Sequence, residues 1–219
     1  MADLASLFTE AHRQAISEAA RSAEGSTSGE IVPYVVGVCD DYREAGWKAA
    51  VTGALIGFGG GVSLHYLGGF WGGSLWLWVI LPSMVLAAGG ALAARLSERV
   101  RRFLIGDGVL DLRARQRAEC AFLEEEVFAT RDRTGILVFV ALFEHRVVVM
   151  GDAGINRAVP EGAWSHVVAD LVAGIRARRP AEALEEAIAE CGRLLREHRL
   201  EIRSDDTDEL PNELRIRER

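Results

Sequence analysis

One long apolar segment interrupts the pattern of hydrophobic and polar positions along the chain. Between Ala49 and Ala94 the sequence has no Asp, Glu, Lys or Arg, and His65 is the only side chain there that readily takes a charge. A membrane-spanning helix needs roughly 20 predominantly apolar residues. The segment therefore predicts two crossings, at about 48–67 and 75–94. The residues that would form the turn between them are Gly68, Gly69, Gly72, Gly73 and Ser74.

The alternative to a membrane hairpin is a buried soluble hairpin. It would have to hide two helices that are apolar all round beneath the remainder of the chain, so we favour the membrane. Basic residues indicate the orientation, because short loops rich in Lys and Arg stay in the cytoplasm. Arg43 and Lys48 precede the first crossing. The arginines that follow the second are Arg95, Arg99, Arg101 and Arg102.

We therefore expect a two-span protein of the bacterial inner (plasma) membrane with both termini and the soluble domain in the cytoplasm. The first residues, MADLASLFTEAHRQ, lack the basic region and apolar core of a cleavable signal peptide. The lipid bilayer is then the first partner that the sequence predicts.

Outside the hairpin, the periodicity of apolar residues predicts alternating helices and strands. Thr9 is a candidate N-cap for the first helix. The predicted strands are 30–38, 135–142 and 146–150, and the later helices are 111–129, 162–177 and 180–198. Pro33 cannot donate a hydrogen bond within a sheet, so we expect an edge strand or a strand that starts after it.

The order of these elements favours a small mixed-sheet α/β/α sandwich. Residues 1–46 and 96–200 would form one discontinuous domain, with the hairpin at 47–95 inserted between its first two strands. Those strands are expected to be parallel, and the next two to form an antiparallel hairpin. Residues 201–219 are dense in charge, which predicts a flexible or weakly docked tail.

Composition excludes some functions. The formal net charge of -7 argues against a nucleic-acid-binding face, which needs clustered basic residues. Cys39, Cys120 and Cys191 are odd in number and far apart, so they predict reduced thiols rather than a disulfide framework or a zinc site.

The second half of the chain resembles the TPM domain family. The similarity is carried by TGILVFVALFEHRVVVMGDAGI, by a helix pair that ends in CGRLLREH, and by the strand EIVPYVV near the start. It covers about 8–38 and 115–200. The resemblance implies an α/β sandwich. Some relatives in the thylakoid lumen of plants, involved in photosystem II repair, are described as acid phosphatases, some bacterial relatives bind calcium, and others are described only as membrane proteins.

The family pattern is only partly kept where chemistry would be expected. An Asp-Asn-Gly before the central strand is common in relatives, whereas this chain has Arg133, Thr134 and Gly135, with Asp132 one place earlier. The glycine loop after the hairpin is matched by GDAG at 151–154.

Five oxygen-bearing residues are expected at one edge of the predicted sheet, where the first two strands begin and the third ends. They are Glu30, Asp132, Thr134, Asp152 and Asn156. Carboxylate, amide and hydroxyl oxygens suit Ca²⁺ or another divalent cation. The alternative is a set of solvated loop residues whose aspartates cap turns. We expect this edge to face away from the bilayer.

Gly53, Gly57 and Gly61 recur at four-residue spacing, which allows close helix packing. The hairpin could use them to pack on itself, or the chain could bind a homo-oligomer or a partner membrane protein through them. Glu144 and His145 lie at a predicted hairpin turn, where exposure and turn geometry account for them.

Two functions remain open. The sequence has no phosphate-binding P-loop, nucleophile elbow or two-metal His/Asp set. We therefore favour a non-catalytic interaction or assembly module tethered at the cytoplasmic face of the membrane. The alternative is a weak divalent-metal-dependent acid phosphatase, or a calcium-binding domain, on the same scaffold.

The orientation is testable with a membrane-impermeant label at Ser204. We expect the label to reach this position only after cells are permeabilised, because the residues after the second crossing should be cytoplasmic. Labelling of intact cells would reverse the predicted topology.

Overall fold

The computed structural model describes residues 4–67, 75–198 and 209–219. The predicted glycine turn at 68–74 and the label position Ser204 lie outside the described residues. The chain divides into two compact units. One unit comprises Met1–Asp40 with Asp111–Arg219, and the other is Asp41–Leu110.

The helices and strands follow one another in a mixed α/β order. The helices are α1 (Leu4–Leu7), α2 (Glu10–Glu24), α3 (Arg43–Leu67), α4 (Leu75–Leu96), α5 (Glu98–Ile105), α6 (Asp107–Glu124), α7 (Ala153–Ala158), α8 (Ser165–Arg176) and α9 (Pro180–Glu197), with a 3-10 turn at Glu161–Trp164. The strands are β1 (Glu30–Val36), β2 (Gly135–Ala141), β3 (Arg146–Gly151) and β4 (Arg215–Arg217).

The strands form one sheet in the order β3-β2-β1-β4. β1 is parallel to β2 and to β4, and β2 is antiparallel to β3. The predicted parallel pair and the predicted hairpin are therefore confirmed. The fourth strand was not predicted.

Helices cover both faces of the sheet, which confirms the predicted α/β sandwich. Successive residues of a strand point to opposite faces. Ile31 packs in one core with residues of α2, α8 and α9, such as Leu171 and Ile188. Val32 packs in a second core with residues of α6, such as Ala118.

Pro33 lies inside a strand that begins at Glu30, so the expected later start is wrong. β1 lies between β2 and β4 in the sheet, but its first half is unpaired on the β4 side, so only the part of the strand around Pro33 resembles an edge. The proline is tolerated because alternate residues of β1 point their backbone N–H groups to opposite sides. The backbone nitrogens of Ile31 and Pro33 point away from β2, toward the β4 side, but β4 pairs with β1 only from Tyr34 onward. The free N–H of Ile31 donates instead to the carboxylate of Glu24, at 2.7 Å.

The end of the chain is folded, so a flexible tail is wrong for the described residues 209–219. Arg215–Arg217 forms β4, and the N–H of Gly37 donates to Arg217 O at 3.0 Å. Leu210 enters the core beside α6 and is 7 % exposed. The Arg215 side chain pairs with Glu125 at 3.1 Å. Charged residues that the composition of this segment predicts to be solvated thus include one, Arg215, that forms a specific ion pair.

In the second unit, α3 and α4 are each long and apolar enough to cross a membrane. Both extend past the predicted limits, to Arg43 at one end and Leu96 at the other. In the most apolar 18-residue window of each helix, only 11 % of α3 and 6 % of α4 is buried within the protein. A buried soluble hairpin would have most of these side chains covered.

The glycines of α3 lie against the backbone of α4. A Cβ atom added to Gly53, Gly57 or Gly61 would come within 3.0 Å of α4 backbone atoms. Their neighbours run in reverse order, from Leu86 opposite Gly53 to Trp78 opposite Gly61, so the two helices are antiparallel. The hairpin therefore packs on itself through this face, and a further copy or a partner would have to bind another surface.

We expect Gly57→Ala to destabilise the hairpin, whereas Gly60→Ala should leave it unchanged or more stable. A Cβ at Gly57 would meet Ser83 Cα at 2.5 Å, but one at Gly60 would meet nothing within 4 Å. Both substitutions gain the same helix propensity of about 1 kcal/mol, and overpacking typically costs about 1–3 kcal/mol. Thermal unfolding of the full chain in mild detergent measures the difference. Equal effects of the two substitutions would contradict this packing.

Candidate functional site

The candidate site lies where β1 and β2 begin and β3 ends. Glu30 is paired with Gly135 across the first two strands, and Asp152 donates its backbone N–H to Gly135 O at 2.9 Å. The structure therefore brings the backbones of the predicted residues to one edge of the sheet. Their side chains have other partners.

Asp152 is bound by an arginine and by a helix. Its Oδ1 accepts a hydrogen bond from the N–H of Ala153 at 2.7 Å, so that it caps α7, a helix that begins inside the glycine loop expected at 151–154. Arg133 donates to both carboxylate oxygens, from Nη2 at 2.9 Å and from Nε. Arg133 holds this position with a left-handed backbone, at φ 58°.

The surroundings of Asp152 act on its pKa in opposite directions. Burial alone would raise the pKa of this carboxyl, because it penalises the charged form. The hydrogen bonds from Arg133 and from the N–H of Ala153, together with the arginine charge, outweigh burial and lower the pKa below its usual value. Asp152 therefore stays ionised as the partner of Arg133.

Glu30 is closed off by the end of the chain. It is 6 % exposed, and its two carboxylate oxygens accept the backbone N–H groups of Glu209 and Leu210, each at 3.4 Å. Glu209 in turn accepts the N–H of Arg131 at 3.0 Å. This acidic side chain thus anchors the segment that leads into β4.

Asn156 and Thr134 also take structural partners. Asn156 Nδ2 donates to Gly151 O at 2.7 Å. Thr134 is 6 % exposed, and its N–H donates to Thr130 Oγ1 at 2.8 Å. The loop that carries Asp132 packs closely over Gly154, where an added Cβ would meet two backbone carbonyls.

As arranged, these residues do not fit a hard cation. The carboxylate oxygens of Asp152 both face a guanidinium, and those of Glu30 face backbone amides. Across residues 4–67, 75–198 and 209–219, no group of three or more His, Cys, Asp or Glu side chains is placed to hold a metal ion. Binding Ca²⁺ at Asp132, Asp152, Glu30 and Asn156 would require Arg133 to leave.

The opposite edge, at the carboxyl ends of β1 and β2, holds polar contacts that the sequence does not predict. The N–H of Cys39 donates to Glu144 Oε1 at 2.8 Å. Glu144 is 1 % exposed, so the expectation of an exposed turn residue is wrong. Burial, and then the neighbouring Glu144 carboxylate, raise the pKa of the Cys39 thiol, which disfavours the reactive thiolate. Arg113 pairs with Asp40 nearby at 3.0 Å.

The predicted parallel strand pair could have drawn attention to this edge, because ligand crevices of open α/β sheets lie outside the carboxyl ends of their strands. Tyr34 on β1 packs on the sheet face that α6 covers. Its hydroxyl accepts a hydrogen bond from Arg117 Nη2 at 2.6 Å. Burial raises the pKa of this hydroxyl, so that it stays protonated.

The remaining polar feature is the outer edge of β3, which pairs with no other strand in the described part of the chain. Alternate residues of an antiparallel strand turn their N–H and C=O groups away from the partner strand. Gly151 is one of these, and its carbonyl accepts from Asn156. The backbone N–H and C=O groups of Val147 and Val149 also point away from β2, so they form an open strand edge.

Comparison with known proteins supports the fold alone. The NMR structure of the BA42 protein from the psychrophilic bacterium Bizionia argentinensis sp. nov. superposes with a TM-score of 0.60 at 19 % sequence identity, over 99 % of each chain. No family model and no curated protein matches the chain.

The Arg133–Asp152 pair has a pH signature. Because the folded pKa of Asp152 lies below its unfolded value, the pair stabilises the protein above the unfolded pKa of about 3.9 and loses this effect as the pH falls toward the folded pKa. We expect Asp152→Asn, which keeps an N-cap side chain, to cost about 1 kcal/mol at pH 6 and nothing at low pH.

Urea unfolding of the full chain in mild detergent, followed by near-ultraviolet circular dichroism between pH 3 and 7, measures this difference. Asp170→Asn is the matched control, because this carboxyl is exposed on α8. A cost of Asp152→Asn that does not depend on pH would contradict an ionic role.

Proposed function

We propose that this chain is a membrane-tethered interaction module whose TPM-like α/β unit lies on the cytoplasmic face of a bacterial inner membrane and assembles with partner proteins. The observation that carries the proposal is the double connection between the units. The chain leaves the sheet after β1, passes through α3 and α4, and returns through α5 into α6. An insertion of this kind tethers the unit at two points.

Charge supports the orientation. Arginines and Lys48 lie at the two outer ends of the hairpin. The run between Ala49 and Ala94, which includes the turn, has no Asp, Glu, Lys or Arg. Such an asymmetry retains the charged ends in the cytoplasm.

The open edge of β3 supports the binding of partners. An exposed strand edge is a template for an added strand, whose main-chain hydrogen bonds provide affinity. Natural edge strands are usually protected by charged residues, prolines or bulges. β3 reads RVVVMG, with only Arg146 charged and no proline. We propose that an extended segment of a partner membrane protein pairs here.

We expect Val149→Pro to abolish assembly without unfolding the protein, because it removes an outward N–H and leaves the bonds to β2 intact. Val149→Ala is the matched control, since it shortens the side chain but keeps the N–H. The measurement is a stoichiometric complex purified from native membranes in mild detergent, with thermal unfolding to confirm the fold of each variant.

A complex that survives Val149→Pro, or fails equally in Val149→Ala, would contradict strand addition. Hydrolysis of a phosphate monoester by the wild type that is lost in Asp152→Asn would instead favour the phosphatase alternative. These readouts separate the two functions in the same set of proteins.

A further inference from the structure

The hairpin unit contains a cavity of about 410 Å³ between the first turns of α3, the last turns of α4 and α5. Three arginines are among the residues that line it, Arg43, Arg95 and Arg101. Asp41 is the acidic side chain in the lining, and Trp47 is the large aromatic one. The cavity is thus concave, basic and partly apolar.

The charges in this lining favour an anion. Three arginines outweigh the one carboxylate of Asp41. A guanidinium binds phosphate through two parallel hydrogen bonds to its oxygens. Among the described residues, neither Arg43 nor Arg95 has an ion-pair partner, and both are exposed.

The cavity lies at the boundary between charged and apolar sequence. Among the lining residues, Arg43 lies six positions before the uncharged run 49–94 and Arg95 lies directly after it. α5 is held beside α3 by Lys48, whose Nζ donates to Leu104 O at 3.4 Å. In a membrane, such a boundary lies at the level of the lipid headgroups.

An apolar stripe leads from the cavity along α3. Trp47, Val51 and Leu55 are spaced by four residues, so they share one helix face. They are 59 %, 48 % and 66 % exposed, respectively. A free phosphate ion would make no contact with this stripe, whereas the acyl chain of a lipid would cover it.

We propose that this cavity binds the phosphodiester headgroup of an anionic phospholipid, with an acyl chain along Trp47, Val51 and Leu55. Basic pockets between membrane helices bind anionic headgroups by this chemistry. The inference rests on the membrane crossing in the proposed function, and it adds a specific lipid to the bilayer named there.

The test uses the full chain reconstituted in nanodiscs that contain phosphatidylglycerol and phosphatidylcholine in equal amounts. Native mass spectrometry after transfer to detergent measures which lipid stays bound. We expect the wild type to retain phosphatidylglycerol preferentially. The double variant Arg43→Gln with Arg95→Gln should lower that preference by about tenfold, since each arginine near an anionic surface contributes severalfold.

Two controls identify the cavity as the site. Arg99→Gln removes an exposed arginine of α5 that does not line the cavity and should keep the preference. Ala91→Leu fills the cavity without changing any charge and should lose it. An equal loss in Arg99→Gln, or full retention in Ala91→Leu, would overturn the site.

Further measurements distinguish a lipid headgroup from a soluble phosphate, and failure of the lipid site from failure of the membrane crossing. Displacement of the lipid by millimolar glycerol phosphate would overturn a lipid site in favour of a soluble phosphate. Equal retention of both lipids by a chain that resists alkaline extraction from membranes would overturn this inference alone. Extraction of the chain at alkaline pH would overturn the membrane crossing, and with it the proposed function.

Discussion

The structure depends on the complete enclosure of β1. All seven of its residues are buried, β2 pairs with it along its full length, and β4 pairs with its second half. Its first residue, Glu30, holds the returning end of the chain, and the segment after its last residue leads into the hairpin. One strand therefore links the core of the α/β unit, the returning end of the chain and the two long apolar helices. Burial of its apolar side chains on both faces provides the driving force.

Much of this fold follows from local sequence. The uninterrupted apolar run GILVFVAL indicates a strand buried on both faces, and it is β2. The charge-free run predicts the paired apolar helices. β4 could not be predicted, because three residues with two arginines have no strand signature. They become a strand through partners far away in sequence, Glu125 and the backbone after β1.

The candidate site was predictable only as a location. Strand directions bring the chain near Glu30 and Asp152 to one edge, as the sequence indicates. The partners of the side chains were not predictable, because they depend on loop geometry. Arg133 reaches Asp152 from a left-handed backbone position that no periodicity reveals. The helix that Asp152 caps is only six residues long, too short for a hydrophobic period to identify.

The pairing of β4 with β1 also has a consequence for the order of folding. Residues 34–36 of β1 cannot pair with β4 until residues 215–217 have been synthesised, much later in translation. The hairpin at 43–96 lies between them, so its two apolar helices are complete while one side of β1 is still unpaired. Contacts between residues so distant in sequence form slowly, because a long loop must close first. The nascent chain therefore carries an unpaired edge of β1 until residues 215–217 are made, and during that interval the edge is a template for strands of other molecules.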